Sequence, residues 1–179
     1  MSSSKSIPCI FIISFLLIVA AGCTSTEDSS IYEEEEEIVE EIETGLTPQE
    51  EYTISGVNEA IDLMNDKGEQ AFPEFRENNS EWFHDDFYIF VWKTDGTRVV
   101  YPPDVSGEGE DMSDLEDYNG KPIGQLFIDT ALSVEGEGWV DYYWPKPGEN
   151  EPSMKHTYIK RTYIGDEAYL VGSGYYPDT

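Results

Sequence analysis

The chain has 179 residues, 38 acidic and 10 basic, for a formal net charge of -28. Nucleic acid is thereby excluded as a partner, because binding it rests on neutralising phosphates with Lys and Arg. The two cysteines, Cys9 and Cys23, both precede the region that reads as folded, so no structural disulfide and no thiolate metal site is expected.

Residues 1–22 read as a signal peptide. Lys5 gives a minimal positive start, Ile7 to Ala21 is mostly apolar, and small residues precede Cys23. The apolar length is short for a transmembrane helix. Ala20-Ala21-Gly22-Cys23 resembles the lipobox of prokaryotic lipoproteins, which implies lipidation of Cys23 and attachment to the cell membrane from the extracytoplasmic side. An ordinary secretory signal is the alternative. Residues 23–45 form an acidic tether with the run Glu33 to Glu37 and no Lys or Arg. Self-repulsion and scarce apolar surface predict that it stays disordered.

A folded domain is expected over residues 46–179. Thr47-Pro48-Gln49-Glu50 carries a helix N-cap, a proline at the first helical position and a capping-box glutamate. Ile54, Val57, Ala60, Ile61 and Met64 then make one apolar stripe, and Gly68 is expected as a left-handed cap. A shorter helical piece follows from Glu69 to Arg76, and both helices are expected on one face of a sheet. Asp86 to Lys93 is almost continuously apolar and predicts a strand buried on both faces. Asp95-Gly96 gives a hairpin turn, and Arg98 to Tyr101 returns antiparallel before Pro102-Pro103. Residues 105–119 form an acidic loop, and Pro122 to Val134 has helical spacing. Three aromatic and β-branched runs between Gly138 and Tyr176 predict a meander. The order is helix, two strands, helix, three strands: an α+β domain on a five-stranded antiparallel sheet, PAS-like in outline, with a long N-terminal helix and a second shorter one.

From Ala60 to Tyr176 the chain resembles a single Cache domain, the extracytoplasmic sensor module of prokaryotic chemoreceptors and kinases. The resemblance rests on Gly68-x-x-Ala71-Phe72-x-x-Phe75, Tyr88-Ile89-Phe90-Val91, Asp95-Gly96-Thr97 and Gly120-Lys121-Pro122. It continues through Gly138-Trp139-Val140-Asp141-Tyr142-x-Trp144-Pro145-x-Pro147, Lys155-x-x-Tyr158 and Gly172-Ser173-Gly174-x-Tyr176. It departs at Tyr101-Pro102, where the family often has His-Pro. The resemblance implies binding of a small carboxylate, amino acid or amine, with no cofactor. No second transmembrane helix, signal-relay segment or output domain follows Thr179, so a membrane receptor or transporter is the expected partner.

The resemblance places Lys155 at the edge of a pocket, where an ammonium among rings holds a carboxylate by a charge-assisted hydrogen bond. Tyr88, Tyr101, Tyr142 and Tyr158 are candidates to point hydroxyls into a cavity walled by Phe90, Trp92 and Trp139. The alternative is core packing for each ring and a solvated strand end for Lys155. Of the remaining cations, Arg98 flanks the Asp-Gly turn and is expected away from any concave face. Arg76, Lys160 and Arg161 lie nearer the sheet. An aromatic cage for an ammonium group is the alternative ligand chemistry. His84 and His156 have no ligand spacing, and no nucleophile, metal-protease or phosphate-loop motif occurs, so no metal site and no enzyme are expected. A structural or adhesive surface protein with a closed pocket is the alternative function.

Overall fold

The computed structural model describes residues 45–177; the lipidation and tether expectations lie outside them. Helix α1 spans Pro48–Lys67. Its N-terminus is closed by the capping box read from the sequence: the Glu50 amide donates to Thr47 Oγ1 at 3.3 Å, and the Thr47 amide donates to Glu50 Oε2 at 2.7 Å. A box of this kind contributes about 1 kcal/mol. Gly68 ends the helix at φ 62° and ψ -144°, positive in φ but outside the left-handed helical region. The chain passes directly into a 3-10 turn at Gly68–Ala71 and a short helix α2 at Phe72–Phe75.

The strand expected over 86–93 is two pieces. Strand β1, Phe83–His84, pairs with β2, Phe87–Tyr88, in a small ribbon turned at Asp85, where φ is 47°. Ile89 donates its amide to the Trp82 carbonyl, and only then does β3, Phe90–Lys93, enter the main sheet. A continuous apolar run specifies burial on both sides but not which neighbour each residue pairs with. Strand β4 is Arg98–Val100, helix α3 is Ile123–Leu132, and β5, β6 and β7 are Glu137–Pro145, Pro152–Ile164 and Glu167–Tyr175.

The main sheet runs β4-β3-β7-β6-β5 and every pairing is antiparallel. It has two apolar faces, because side chains alternate along each strand. On one face Val91, Tyr169, Val171 and Tyr158 pack beneath Val57, Ala60, Ile61 and Met64 of α1 and Phe72 and Phe75 of α2. On the other, Phe90, Trp92, Leu170, Ile159 and Tyr142 pack beneath Ile123, Phe127, Ile128 and Ala131 of α3. Arg161 fixes the end of α3: its Nη1 donates to the Ala131 carbonyl at 2.8 Å and the Ser133 carbonyl at 3.3 Å, satisfying acceptors the helix leaves open. No helix among the described residues is long and apolar enough to cross a membrane.

Candidate functional site

The α3 face of the sheet carries the site. In β3 the alternation sends Phe90 and Trp92 to this side, and the Phe90 ring lies across Gly172, its register partner in β7. A side chain at Gly172 would also stand 2.8 Å from Ile159, so the glycine is what lets the ring lie flat on the strand. Tyr142 of β5 and Lys155 of β6 form one cross-strand pair on the same side. Phe127 stacks on Phe90 at 5.7 Å and meets Tyr142 edge-on at 5.4 Å.

Between β4 and β3 the register slips by one residue: Val91 pairs with Val100, but Trp92 pairs with Arg98. Val99 is the extra residue of a bulge, and it packs with Val100 into the α1-side core. In an unbroken strand Arg98 and Val100 would share a face. The bulge re-aims Arg98 to the α3 side, where its guanidinium lies 5.9 Å from the Trp92 ring and 4.3 Å from the Tyr101 ring. The expectation that Arg98 stands away from any concave face is therefore corrected. A bulge leaves no mark in a run such as Arg-Val-Val-Tyr.

Tyr88, Phe90, Trp92, Tyr101 and Tyr142 line a chamber of about 20 Å³. Arg98, Ile123, Phe127 and Trp144 complete most of its wall. Four of these residues, Tyr88, Arg98, Tyr101 and Trp144, also border an outer cleft of about 470 Å³, whose far rim is the Lys146–Glu149 turn. Tyr101 and Tyr142 have settled hydroxyls: Trp144 Nε1 donates to Tyr101 at 3.1 Å, and Thr157 donates to Tyr142 at 3.2 Å. Burial pushes the Tyr142 phenol above its ordinary range.

Lys155 is 0% exposed, and its Nζ has no hydrogen-bond partner among the described residues. The ammonium rests 3.9 Å from the centroid of the Tyr88 ring and 5.2 Å from that of Tyr176. It does not line the chamber itself; the ring it rests on does. Burial lowers its pKa to about 7, offset only in part by the charge of Asp86. Two further buried donors on this face lack acceptors among the described residues, Trp92 Nε1 and Arg98 Nε.

Trp139 and Tyr158 do not join this group. They pair with one another across β5 and β6 on the opposite face, where Tyr158 packs into the α1-side core. Trp139 stacks on His156 at 4.3 Å with the rings nearly parallel. The reason is the strand period: Trp139 and Tyr142 are three positions apart, as are Lys155 and Tyr158, and odd spacings send side chains to opposite faces. The other cations near the sheet are committed. Arg76 makes a two-pronged pair with Glu108, Lys160 pairs with Glu137, and Arg161 caps α3.

The family model for the Cache domain matches residues 69–179. The chain belongs to the Cache domain family. A methyl-accepting chemotaxis protein of Pseudomonas putida, McpP, is 30% identical over 95 residues, which is 53% of this chain and 17% of that receptor. Among solved structures, a periplasmic sensor domain of a chemotaxis protein superposes with a TM-score of 0.60 at 28% identity. The match covers 73% of this chain and 95% of that one. A Cache chemosensory domain described for carboxylic acid recognition shares the fold, with a TM-score of 0.61 at 24% identity, covering 72% and 92% of the two chains. Domains of this family are extracytoplasmic sensory ligand-binding modules, not enzymes. The PAS-like α+β architecture read from the sequence is the observed one.

Proposed function

We propose that this chain is a membrane-tethered extracytoplasmic sensor whose Cache domain captures a small carboxylate and presents it to a membrane receptor or transporter. One observation carries the ligand chemistry: Trp92 Nε1, Arg98 Nε and Lys155 Nζ are buried on one sheet face with no acceptor among the described residues, and two of the three side chains are cationic. A buried donor without a partner costs roughly 1–3 kcal/mol, more when charged. Two of the side chains line the chamber and the third lies behind its Tyr88 wall, an arrangement complementary to an anion. A closed structural domain is the second reading, favoured by the small size of the chamber, about 20 Å³. Against it stands the cost of leaving three donors unmet in a core with nothing to bind.

The test is a thermal-shift screen of the purified domain against short carboxylates, amino acids and amines. A ligand at 100 times its Kd stabilises by about 2.7 kcal/mol, a clear rise in melting temperature. Carboxylates should produce that rise in the wild type and fail to do so in Lys155→Met. A rise with amines alone, or an equal rise in the variant, would overturn the carboxylate reading. The tether half rests on Ala20-Ala21-Gly22-Cys23 and the acidic stretch behind it. A diacyl anchor is sufficient for stable attachment at roughly 0.8 kcal/mol per buried CH₂. The wild type should fractionate with membranes and Cys23→Ser should be released; a soluble wild type contradicts the anchor.

A further inference from the structure

Among the described residues, Arg98 joins none of the ion pairs. It is 8% exposed, its Nε has no hydrogen-bond partner among the described residues, and its guanidinium carbon lies 4.3 Å from the Tyr101 ring centroid and 5.9 Å from that of Trp92. Trp92, its register partner across the bulge, contributes a second orphan N–H beside it. These two donors stand at the β3–β4 end of the chamber, and Lys155 stands at the β5–β6 end. Tyr88 and Tyr101 lie between them, edge to face at 5.7 Å. The carboxylates of Asp104 and Glu110 border the outer cleft; Asp104, whose pKa is held low chiefly by its hydrogen bonds from Ser106, also feels the Arg98 charge but makes no ion pair with it among the described residues.

We infer that the site has two separate anion anchors, and that its ligand is a short dicarboxylate rather than a monocarboxylate. One carboxylate meets Lys155; the other meets Arg98 Nε and Trp92 Nε1 where the chamber joins the outer cleft. The planar guanidinium suits this role, because its fork matches a carboxylate and it stays charged when desolvated. A carboxylate held by Lys155 at one end leaves Arg98 Nε without an acceptor, so a monocarboxylate satisfies only one of the two. The bulge at Val99 is the structural device that makes the second anchor, since an unshifted β4 would bury Arg98 against α1. This inference rests on the carboxylate reading above.

The experiment is titration calorimetry of the domain with acids matched in length: succinate against butyrate, and malonate against propionate. In the wild type each diacid should bind at least about tenfold more tightly than its monoacid, the effect of one charge-assisted contact. Arg98→Gln should remove that preference, weakening the diacids by at least about tenfold more than the monoacids. Arg98→Lys should restore part of it, and Trp92→Phe should reduce it. The wild-type ratio needs no variant, so it stands even if a substitution disturbs folding. Equal affinity for diacid and monoacid would overturn the second anchor while leaving Lys155 as a carboxylate site. The same holds if Arg98→Gln weakens both classes equally. Absence of binding by every acid would overturn both readings.

Discussion

Between pH 7 and about 9.5 the unliganded domain gains roughly 3 kcal/mol of stability, and Lys155→Met shows no such gain. The folded-state pKa of Lys155 is lowered by burial to about 7, whereas a solvated lysine titrates near 10.4. Below pH 7 the ammonium is charged in both states, and the full cost of burying it weighs on the fold. Between the two values the unfolded chain holds a proton that the folded one has released, so stability rises with pH. Above about pH 10 the gain reverses, because the buried phenols of Tyr88 and Tyr142 and the half-buried one of Tyr176 have raised pKa values and resist ionising. The rings packed on the ammonium are those of Tyr88 and Tyr176, Tyr142 is its cross-strand neighbour, and the charge of Asp86 offsets only part of the burial cost. Lys155→Met keeps the stem volume and removes the charge. It should therefore be more stable than the wild type at pH 7 and below, and flat where the wild type rises. Urea denaturation across this range, wild type beside variant, gives the comparison directly; parallel curves would mean the ammonium is not desolvated.

Gly124→Ala should cost about 3 kcal/mol or more, enough to leave a substantial unfolded fraction in a domain of ordinary stability. Gly124 lies in the first turn of α3, pressed onto the segment before it. A methyl there would fall inside contact distance of the Met112 carbonyl oxygen and 2.7 Å from that of Ser113. Those are backbone atoms and cannot swing away as a side chain would. The segment is also fixed: Met112 donates its amide to the Gly96 carbonyl, and Gly124 donates to that of Leu115. Relief requires lifting α3, which carries Ile123 and Phe127 off the chamber they wall. The variant should thus lose stability and ligand binding together. A denaturation midpoint equal to wild type would show that α3 is held less tightly than this packing implies.

The fold was largely legible in the sequence because its signals are local. Thr47 to Glu50 specifies a capped helix start by side-chain chemistry alone, and the Ile54 to Met64 stripe needs only the helical period. The site was legible where it depends on composition and less so where it depends on register. Tyr88, Phe90, Trp92, Tyr101 and Tyr142 meet around one chamber, and Lys155 lies against it. Trp139 and Tyr158 do not, although the two-residue period was available and places them opposite Tyr142 and Lys155. Arg98 was unreadable for a different reason. Its orientation depends on one inserted residue in a ladder, which is set by the partner strand and leaves the local sequence unremarkable. The break at Ile89 belongs to the same class, since pairing with β1 rather than β7 is a tertiary choice.

The central claim, that an unneutralised buried lysine awaits a carboxylate, is tested most directly by calorimetry at pH 8 in two buffers of different ionisation enthalpy, with the acid the screen selects. At that pH Lys155 is mostly neutral in the empty domain, given a pKa of about 7, and a bound carboxylate draws it back to the charged form. Binding should therefore take up most of one proton from the buffer, and the uptake should vanish along with affinity in Lys155→Met. Carboxylate binding with the same observed enthalpy in both buffers, or undiminished in the variant, would contradict the account.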